Sequence, residues 1–346
     1  MQIDAYASAP WYVDHMAPVW RALGPEAGRF HVRTSRTLAA ATAAGLDRVT
    51  SDPPAGSAPL FAVAIGDHLH ARRLGRRRLA LGQHGSGQSY AGAGGDAATN
   101  SSYPGGAGQD DVGLFLVPND QAAGRTLATY PRARVAVVGC PKLDELPGLR
   151  PGAPPKVVAV STHWDARVAP EAGSSWGAFR RAILELGRRF PVIGHAHPRM
   201  RAVGPFYRAA GIEVVDSFTH VLERASVFVC DNSSALFEFA ATGRPVVVLN
   251  APSYRRTVDH GLRFEPRPGC SLERGWHFCG ASHVGPQVDT SVQLVPAIER
   301  ALELRPADVA AREAALDIVY QPRHGSAALA ARALLEWAAE SKMEAA

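Results

Sequence analysis

Several stretches of this chain are apolar at almost every position, yet too short for helices. They include "PLFAVAI", "GLFLV", "VVAV", "SVFVC" and "PVVVL". A strand wetted on one face alternates apolar with polar residues; one without alternation is covered on both faces. Between these runs lie segments with helical spacing, such as "YVDHMAPVWRAL" and "SSWGAFRRAILELGRRF". Non-alternating strands separated by helices require a parallel sheet with helices on both sides.

The pattern runs through the chain twice. In the first half, "MQIDAYA", "FHVRTS", "APLFAVAIG", "RRLALGQHG", "GLFLVPND" and "ARVAVVG" read as strands. A Pro- and Gly-rich stretch, "LPGLRPGAPPK" (Leu146 to Lys156), has linker chemistry. A second series follows, with strands at "KVVAVSTHW", "PVIGHAHP", "IEVVD", "SVFVCDNSS" and "RPVVVLN". The 346 residues exceed one ordinary core and suit two. The expected fold class is α/β, with two Rossmann-like doubly wound domains facing a cleft. The expected domains are 1–150 and 156–325, followed by an amphipathic C-terminal helix over 326–346.

Hydrophobic residues make up 46% and charged residues 20%, a globular composition. No stretch reaches the roughly 18 to 20 apolar residues of a membrane span. The opening "MQIDAYASAPWYVDHMAPVW" has acids and His where a secretory signal has a basic start and an apolar run. A cytoplasmic location is therefore expected. The four cysteines, Cys140, Cys230, Cys270 and Cys279, form no C-x-x-C pair and read as isolated reduced thiols. Net charge is +5, and Arg carries most of the positive charge, which suits bidentate phosphate contacts. The densest basic run, "HARRLGRRRLALG" (His70 to Gly82), reads as a solvated helix or turn. Its alternative is an electrostatic footprint for an anionic ligand or a membrane surface, so peripheral membrane association stays open. No nucleic-acid-binding signature is present, and no nucleic acid partner is expected.

Doubly wound sheets bind ligands beyond the carboxyl ends of their strands. Four strand ends carry polar chemistry. In "LGQHGSG", Gly85 lets another backbone approach His84 closely. In "GHAHP", the proline holds His197 in an extended geometry, two residues after His195. No Cys or carboxylate stands at ligand spacing there, so neither a metal nor another cofactor is expected. In "CDNSSALFEF", Asp231, Asn232, Ser233 and Ser234 precede a helix, with Glu238 as a first-turn acid. One capping side chain would suffice; the surplus points to an anion held at the helix start. In "VVGCPKLDEL", Gly139, Pro141, Lys142 and Asp144 read as a tight turn into a capped helix. Gly85, Thr162, His195, Arg199 and Glu238 are the candidate substrate contacts. The Gly- and Ser-rich segment from Gly85 to Asp111 reads as a mobile ligand-side loop or a surface insertion.

Taken in order, "QHG", "VVGCPKLDEL", "GHAHP" and "CDNSSALFEFAATGRP" resemble the CDP-glycerol glycerophosphotransferase family. These are the teichoic acid primases and polymerases, two-lobed enzymes of the GT-B architecture. The match runs from about Leu81 to Gly261, and "DNSSALFEFAATGRP" is its specific part. The resemblance implies transfer of a glycerol-phosphate or similar polyol-phosphate unit from a CDP-activated donor to an acceptor hydroxyl, releasing CMP. It implies that His84 is the base on the acceptor, that His197 contacts the donor pyrophosphate, and that Ser233 and Ser234 bind donor phosphates. Asp231 and Asn232 open that phosphate motif. The implied partners are a CDP-activated polyol or nucleotide-sugar donor and a hydroxyl-bearing acceptor, anionic or glycolipid. Such a transfer needs a base for the hydroxyl proton, and imidazole is suited to it. A helix start, hydroxyls and a His or Arg stabilise the departing nucleotide without metal. The alternatives are a nucleotide-sugar glycosyltransferase, a non-hydrolysing sugar-nucleotide 2-epimerase of the same architecture, or a nucleotide-binding module without catalysis. The epimerase needs paired carboxylates, and no convincing pair follows the strands.

Overall fold

The structure, a computed structural model, describes residues 2–76, 78–86, 109–164, 174–197, 199–231, 233–250 and 284–343. Asn232, Cys270, Cys279 and most of the Gly85–Asp111 segment lie outside the described residues. The first half of the chain runs β1 (Ile3–Ala7), α1 (Pro10–Leu23), β2 (Ala27–Val32), α2 (Ser35–Ala43), β3 (Val49–Thr50) and β4 (Leu60–Ala62). It continues through α3 (Ile65–Arg73), β5 (Leu79–Gly82), β6 (Val112–Val117), α4 (Asp120–Thr129) and β7 (Arg134–Val137). These strands form one sheet in the order β3-β2-β1-β4-β5-β6-β7. Every pairing is parallel. The direction of winding reverses between β1 and β4.

The second sheet repeats the plan. Its elements are β8 (Val158–Thr162), α5 (Trp176–Glu185), β9 (Val192–Ala196), α6 (Gly204–Ala209), β10 (Glu213–Val215) and α7 (Phe218–Arg224). Then come β11 (Val227–Cys230), α8 (Ala235–Ala240), β12 (Val246–Leu249), β13 (Gln287–Val288), α9 (Leu294–Leu302) and α10 (Pro306–Val319). The order β10-β9-β8-β11-β12-β13 reverses between β8 and β11. Strands β8, β11 and β12 are buried at every position, as their lack of alternation requires. Their core joins Val160, Val229 and Val247 to Phe179, Ile183 and Ile298 from the covering helices.

The chain forms two compact units. Of the described residues, one holds those up to 86, those from 109 to Glu145 and those from Tyr320 onward; the other holds Leu146–Val319. The C-terminal helix α11 (Ser326–Met343) is thus part of the first core, where Ala330, Leu334 and Trp337 pack with Val13, Met16 and Trp20. Two glycines make room for this return. A Cβ on Gly113 would lie 2.6 Å from Trp337 Nε1, and one on Gly139, at φ +75°, would collide with the Pro322 carbonyl. Asp144 then accepts the Ala327 N–H at 2.7 Å. The "GCPKLD" turn therefore caps the C-terminal helix rather than its own.

Two expectations change. The run "APLFAVAIG" is strand only over Leu60–Ala62, and Ile65 already opens α3. The carboxylate of Asp67, in the first turn of α3, takes the Ser8 N–H beyond β1 and fixes the helix there. The basic run is also more than a solvated surface. Arg76 is fully buried, with Nη1 donating to the Ala55 carbonyl at 2.7 Å and Nη2 to Asp4 Oδ2 at 3.1 Å. Arg72 pairs with Asp111, and Arg78 donates to the Ala338 carbonyl in α11. Arg76 thus binds the unit together from inside and does not face an external anion. Among the described residues, no helix is long and apolar enough to cross a membrane.

Burial alone would raise the Asp4 carboxyl. His31, the Arg29 N–H and the Arg76 charge outweigh it and hold Asp4 below the ordinary carboxylate range. Replacing Arg76 with Met should therefore strand a buried carboxylate and cost ~3–5 kcal/mol. The double variant Asp4→Asn/Arg76→Met should recover much of that loss. Urea unfolding midpoints measure both. A single-variant loss below ~1 kcal/mol would show that the pair does not anchor the sheet.

Candidate functional site

The residues beyond β8, β9 and β11 meet at the reversal point of the second sheet, the usual ligand position in such folds. Ser161 and His195 are register partners on β8 and β9, and Ser161 Oγ lies 3.0 Å from His195 Nδ1. Thr162 is 2% exposed, and its hydroxyl has no hydrogen-bond partner among the described residues. His197 Nδ1 accepts the backbone N–H of Arg199 at 3.2 Å. In the neutral ring the proton must then sit on Nε2, making that nitrogen a donor. The His197 ring stacks on Trp164 with centroids 6.1 Å apart. It lies 5.4 Å from the His163 ring. The Arg199 guanidinium sits 4.3 Å over the Trp164 ring, which holds an exposed cation at the strand ends.

Asp231 has a different role from the one expected. It is fully buried. Oδ1 accepts the His163 N–H at 2.6 Å, and Oδ2 accepts both the N–H and the hydroxyl of Ser175 at 2.8 Å. A buried carboxylate engaged by three donors of its own chain would repel a phosphate. Asp231 instead ties the end of β8 and the start of α5 to the end of β11.

The serines beyond it divide. Ser233 Oγ accepts a long bond, 3.3 Å, from the Ala235 N–H. Ser234 stands at the N-cap with helical angles, φ −58° and ψ −25°, and its side chain makes no cap bond. A capping side chain needs an extended backbone, so Ser234 does not make the expected side-chain cap. The Ser234 hydroxyl makes no hydrogen bond among the described residues and is partly exposed. Helix α8 has only six residues, and Glu238 is buried within it, away from solvent. Arg244, in "GRP", donates to the Ala225 carbonyl at 2.7 Å and packs on Phe239. Burial lowers its pKa to about 10. That end of the motif is framework.

In the first unit, His84 follows β5 and is exposed. Its Nδ1 lies 3.1 Å from the Val63 carbonyl, which can only accept. The neutral ring therefore carries its proton on Nδ1 and its lone pair on Nε2. Gly85 turns the chain at φ +89°. The Tyr12 ring meets His84 edge-on at 5.6 Å, and His15 lies 6.1 Å away. Desolvation holds the His15 imidazole well below its ordinary pKa, and the charges of Lys142 and His84 act in the same direction. At the reversal point between β1 and β4, Asp67 is 3% exposed and its Oδ2 accepts the Ser8 N–H at 2.9 Å. Burial raises its pKa to about 6, against the opposing effects of Ser8 and Arg33.

Sequence reasoning missed Asp67, His15, His163 and Trp164. "STHW" obeys the strand-end rule that found the other positions, but only its Thr162 stands among the candidates. Asp67 was hidden because "AIGD" belonged to an apolar run with no visible break. Among the described residues, no group of three or more His, Cys, Asp or Glu stands close enough to hold a metal ion.

No family model matches the chain. No curated protein matches it either. Solved structures do. The wall teichoic acid polymerase TagF, in a variant soaked with CDPG, superposes with TM-score 0.60 at 11% identity, covering 98% of this chain and 89% of that one. A UDP-GlcNAc 2-epimerase from Neisseria meningitidis bound to UDP-GlcNAc gives TM-score 0.59 at 12% identity, covering 97% and 99%. A Listeria monocytogenes protein assigned as a UDP-N-acetylglucosamine 2-epimerase gives 0.58 at 14%, covering 100% and 97%. At these identities the likeness is one of fold: α/β with two Rossmann-like domains, as in GT-B enzymes.

The Asp67 carboxyl titrates near 6 in the folded protein, against an ordinary value of 3.8. Its contribution to stability is complete below about pH 3.8 and is lost as pH rises through about 6. Asp67→Asn keeps an oxygen for Ser8 and removes the ionisation. Its stability relative to wild type should therefore rise by ~3 kcal/mol between acid and neutral pH. Urea unfolding at pH 4 and pH 7.5 checks this. Parallel profiles for the two proteins would show that burial does not perturb Asp67.

Proposed function

We propose that this protein transfers a glycerol-phosphate or similar polyol-phosphate unit from a CDP-activated donor to an acceptor hydroxyl, releasing CMP. The observation that carries this reading is the opposite tautomers of two histidines. His84 presents a lone pair at Nε2, because its other nitrogen donates to the Val63 carbonyl. His197 presents an N–H at Nε2, because its other nitrogen accepts from Arg199. A lone pair suits removal of a proton from an alcohol, and an N–H suits a phosphate oxygen.

In this reading the second unit holds the donor. His197 Nε2–H, the Arg199 guanidinium and the hydroxyls of Ser234 and Ser233 face its phosphates, and Thr162 offers a further hydroxyl. The acceptor oxygen forms a bond to the phosphorus of the glycerol-phosphate group while the pyrophosphate bond to CMP breaks. The acceptor proton passes to His84 Nε2, and CMP leaves as the anion. His195, oriented by Ser161, stands beside the donor phosphates. No metal takes part in this scheme. The acceptor is a hydroxyl-bearing molecule, anionic or glycolipid, and the enzyme works in the cytoplasm or against the inner membrane face. The structural likeness to TagF and the sequence block "DNSSALFEFAATGRP" support the donor class.

A sugar-nucleotide 2-epimerase is the alternative in the same fold. It must move a carbon-bound proton with carboxylates. At the second sheet's edge, Asp231 is engaged by three donors of its own chain and Glu238 is buried. CMP release from CDP-glycerol, set against deuterium uptake at C2 of UDP-GlcNAc, separates the two.

His84→Ala should lower kcat by roughly 10²- to 10⁴-fold with donor affinity almost unchanged. Turnover of wild type should also fall as acid protonates the imidazole. Near-normal turnover in His84→Ala at saturating acceptor would remove His84 from the mechanism. Ser234→Ala should weaken CDP-glycerol binding by about tenfold, consistent with loss of a hydrogen bond to a charged group, and leave stability close to wild type because no cap is lost. Unaltered affinity in isothermal titration would remove Ser234 from the donor site.

A further inference from the structure

Several arginines of this chain are held by carboxylates. Arg76 meets Asp4, Arg189 meets Glu299, Arg224 meets Glu213 and Arg300 meets Asp308. Such a partner fixes the guanidinium, but it occupies the N–H groups and offsets the charge. Arg199 is held differently. Its guanidinium lies 4.3 Å over the Trp164 ring and has no ion pair or hydrogen bond among the described residues. Arg244 also packs on a ring, that of Phe239, yet it donates to the Ala225 carbonyl as well. An aromatic face attracts a cation through its quadrupole without consuming the in-plane donors. Arg199 therefore keeps its charge and its hydrogen-bonding capacity at the ligand edge of the second sheet.

Trp164 is itself fixed in place. It stands just beyond β8, which ends at Thr162. The preceding His163 N–H is held by Asp231 at 2.6 Å, and His163 Nδ1 donates to the Trp164 carbonyl at 2.8 Å. The indole also stacks on the His197 ring, with centroids 6.1 Å apart and planes 22° from parallel. The two groups it touches differ in what else restrains them. His197 has a backbone tether, because its Nδ1 accepts the Arg199 N–H. The Arg199 side chain is exposed and, among the described residues, has only the ring. Without the ring its long side chain would spread over many rotamers, and ordering it at each binding event would cost affinity.

We infer that Trp164 is a positioning residue, which acts through Arg199 to prepare the strand ends for a diphosphate. The planar guanidinium suits two oxygens of one phosphate group, and His197 Nε2–H suits an oxygen of the next. A ring partner is the one kind of restraint that orients this cation and still leaves it for the ligand. That the diphosphate belongs to a CDP-activated donor rests on the proposed function; the coupling of Trp164 to Arg199 does not.

The test uses the full chain with CDP as the probe, read by isothermal titration, and urea unfolding midpoints to monitor the fold. CDP should bind wild type. Arg199→Met should weaken it about tenfold or more, through loss of a charged hydrogen-bond donor. Trp164→Leu should weaken it about three- to tenfold, the scale of a lost cation–π contact, and Trp164→Phe, which keeps an aromatic face, should stay within about twofold. The double variant Trp164→Leu/Arg199→Met should match Arg199→Met alone within about twofold, because the indole has nothing left to act through. Should Trp164→Leu not fold, Arg199→Lys takes its place. It keeps the charge but loses the planar stack, and should weaken CDP about threefold or more. Failure of CDP to bind folded wild type overturns the inference. So do wild-type affinity in folded Trp164→Leu, or in Arg199→Lys where that variant stands in, and additive losses in the double variant. If the cycle behaves as expected while CDP-glycerol yields no CMP, the inference stands and the proposed transfer falls. If CMP is released and Trp164→Leu binds CDP like wild type, the transfer stands and the inference falls.

Discussion

The second sheet's edge depends on one carboxylate. Asp231 is fully buried, and its oxygens hold the backbone of His163 and both donors of Ser175. Those bonds fix the chain leaving β8 and the chain entering α5 against the end of β11. Trp164 follows His163 directly, and the ring stack of Trp164, His163, His197 and Arg199 builds on that position. A buried ion is tolerated when its lone pairs are filled, and the geometry it enforces is narrow. A neutral side chain in its place could not accept from so many donors.

The first unit is organised by charge in a different way. Arg76 and Asp4 meet inside the sheet with His31 nearby, and Arg78 reaches the backbone of α11. Asp144 caps that same helix from the turn after β7. A motif that reads as local, "GCPKLD", is thus spent mostly on holding a distant segment. What remains of it for chemistry is Lys142, whose charge reaches His15.

Histidine chemistry shows how backbone partners assign roles. His84 and His197 are the same residue type and both follow a strand, yet one is held by a carbonyl and the other by an N–H. The tautomer follows from that partner and not from the side chain. No spacing rule could distinguish them, because the Val63 carbonyl lies 21 residues from His84.

The sequence by itself determined the fold class, the parallel sheets and which strands end in polar residues. Those depend on periodicity and on local turn residues, which neighbouring positions encode. "VVAV", "SVFVC" and "PVVVL" were legible as strands buried on both faces because nothing in them alternates. Tertiary structure alone decided that Asp231 is a tether, that Ser234 leaves its cap unmade, and that Arg76 is internal. It also decided that the C-terminal helix completes the first core. Each of these depends on partners far away in the chain: 56 residues for Asp231 and Ser175, 72 for Arg76 and Asp4, 183 for Asp144 and Ala327. Desolvation and hydrogen-bond loading arise only when such segments meet, so the state of a buried polar group cannot be read from its sequence neighbours.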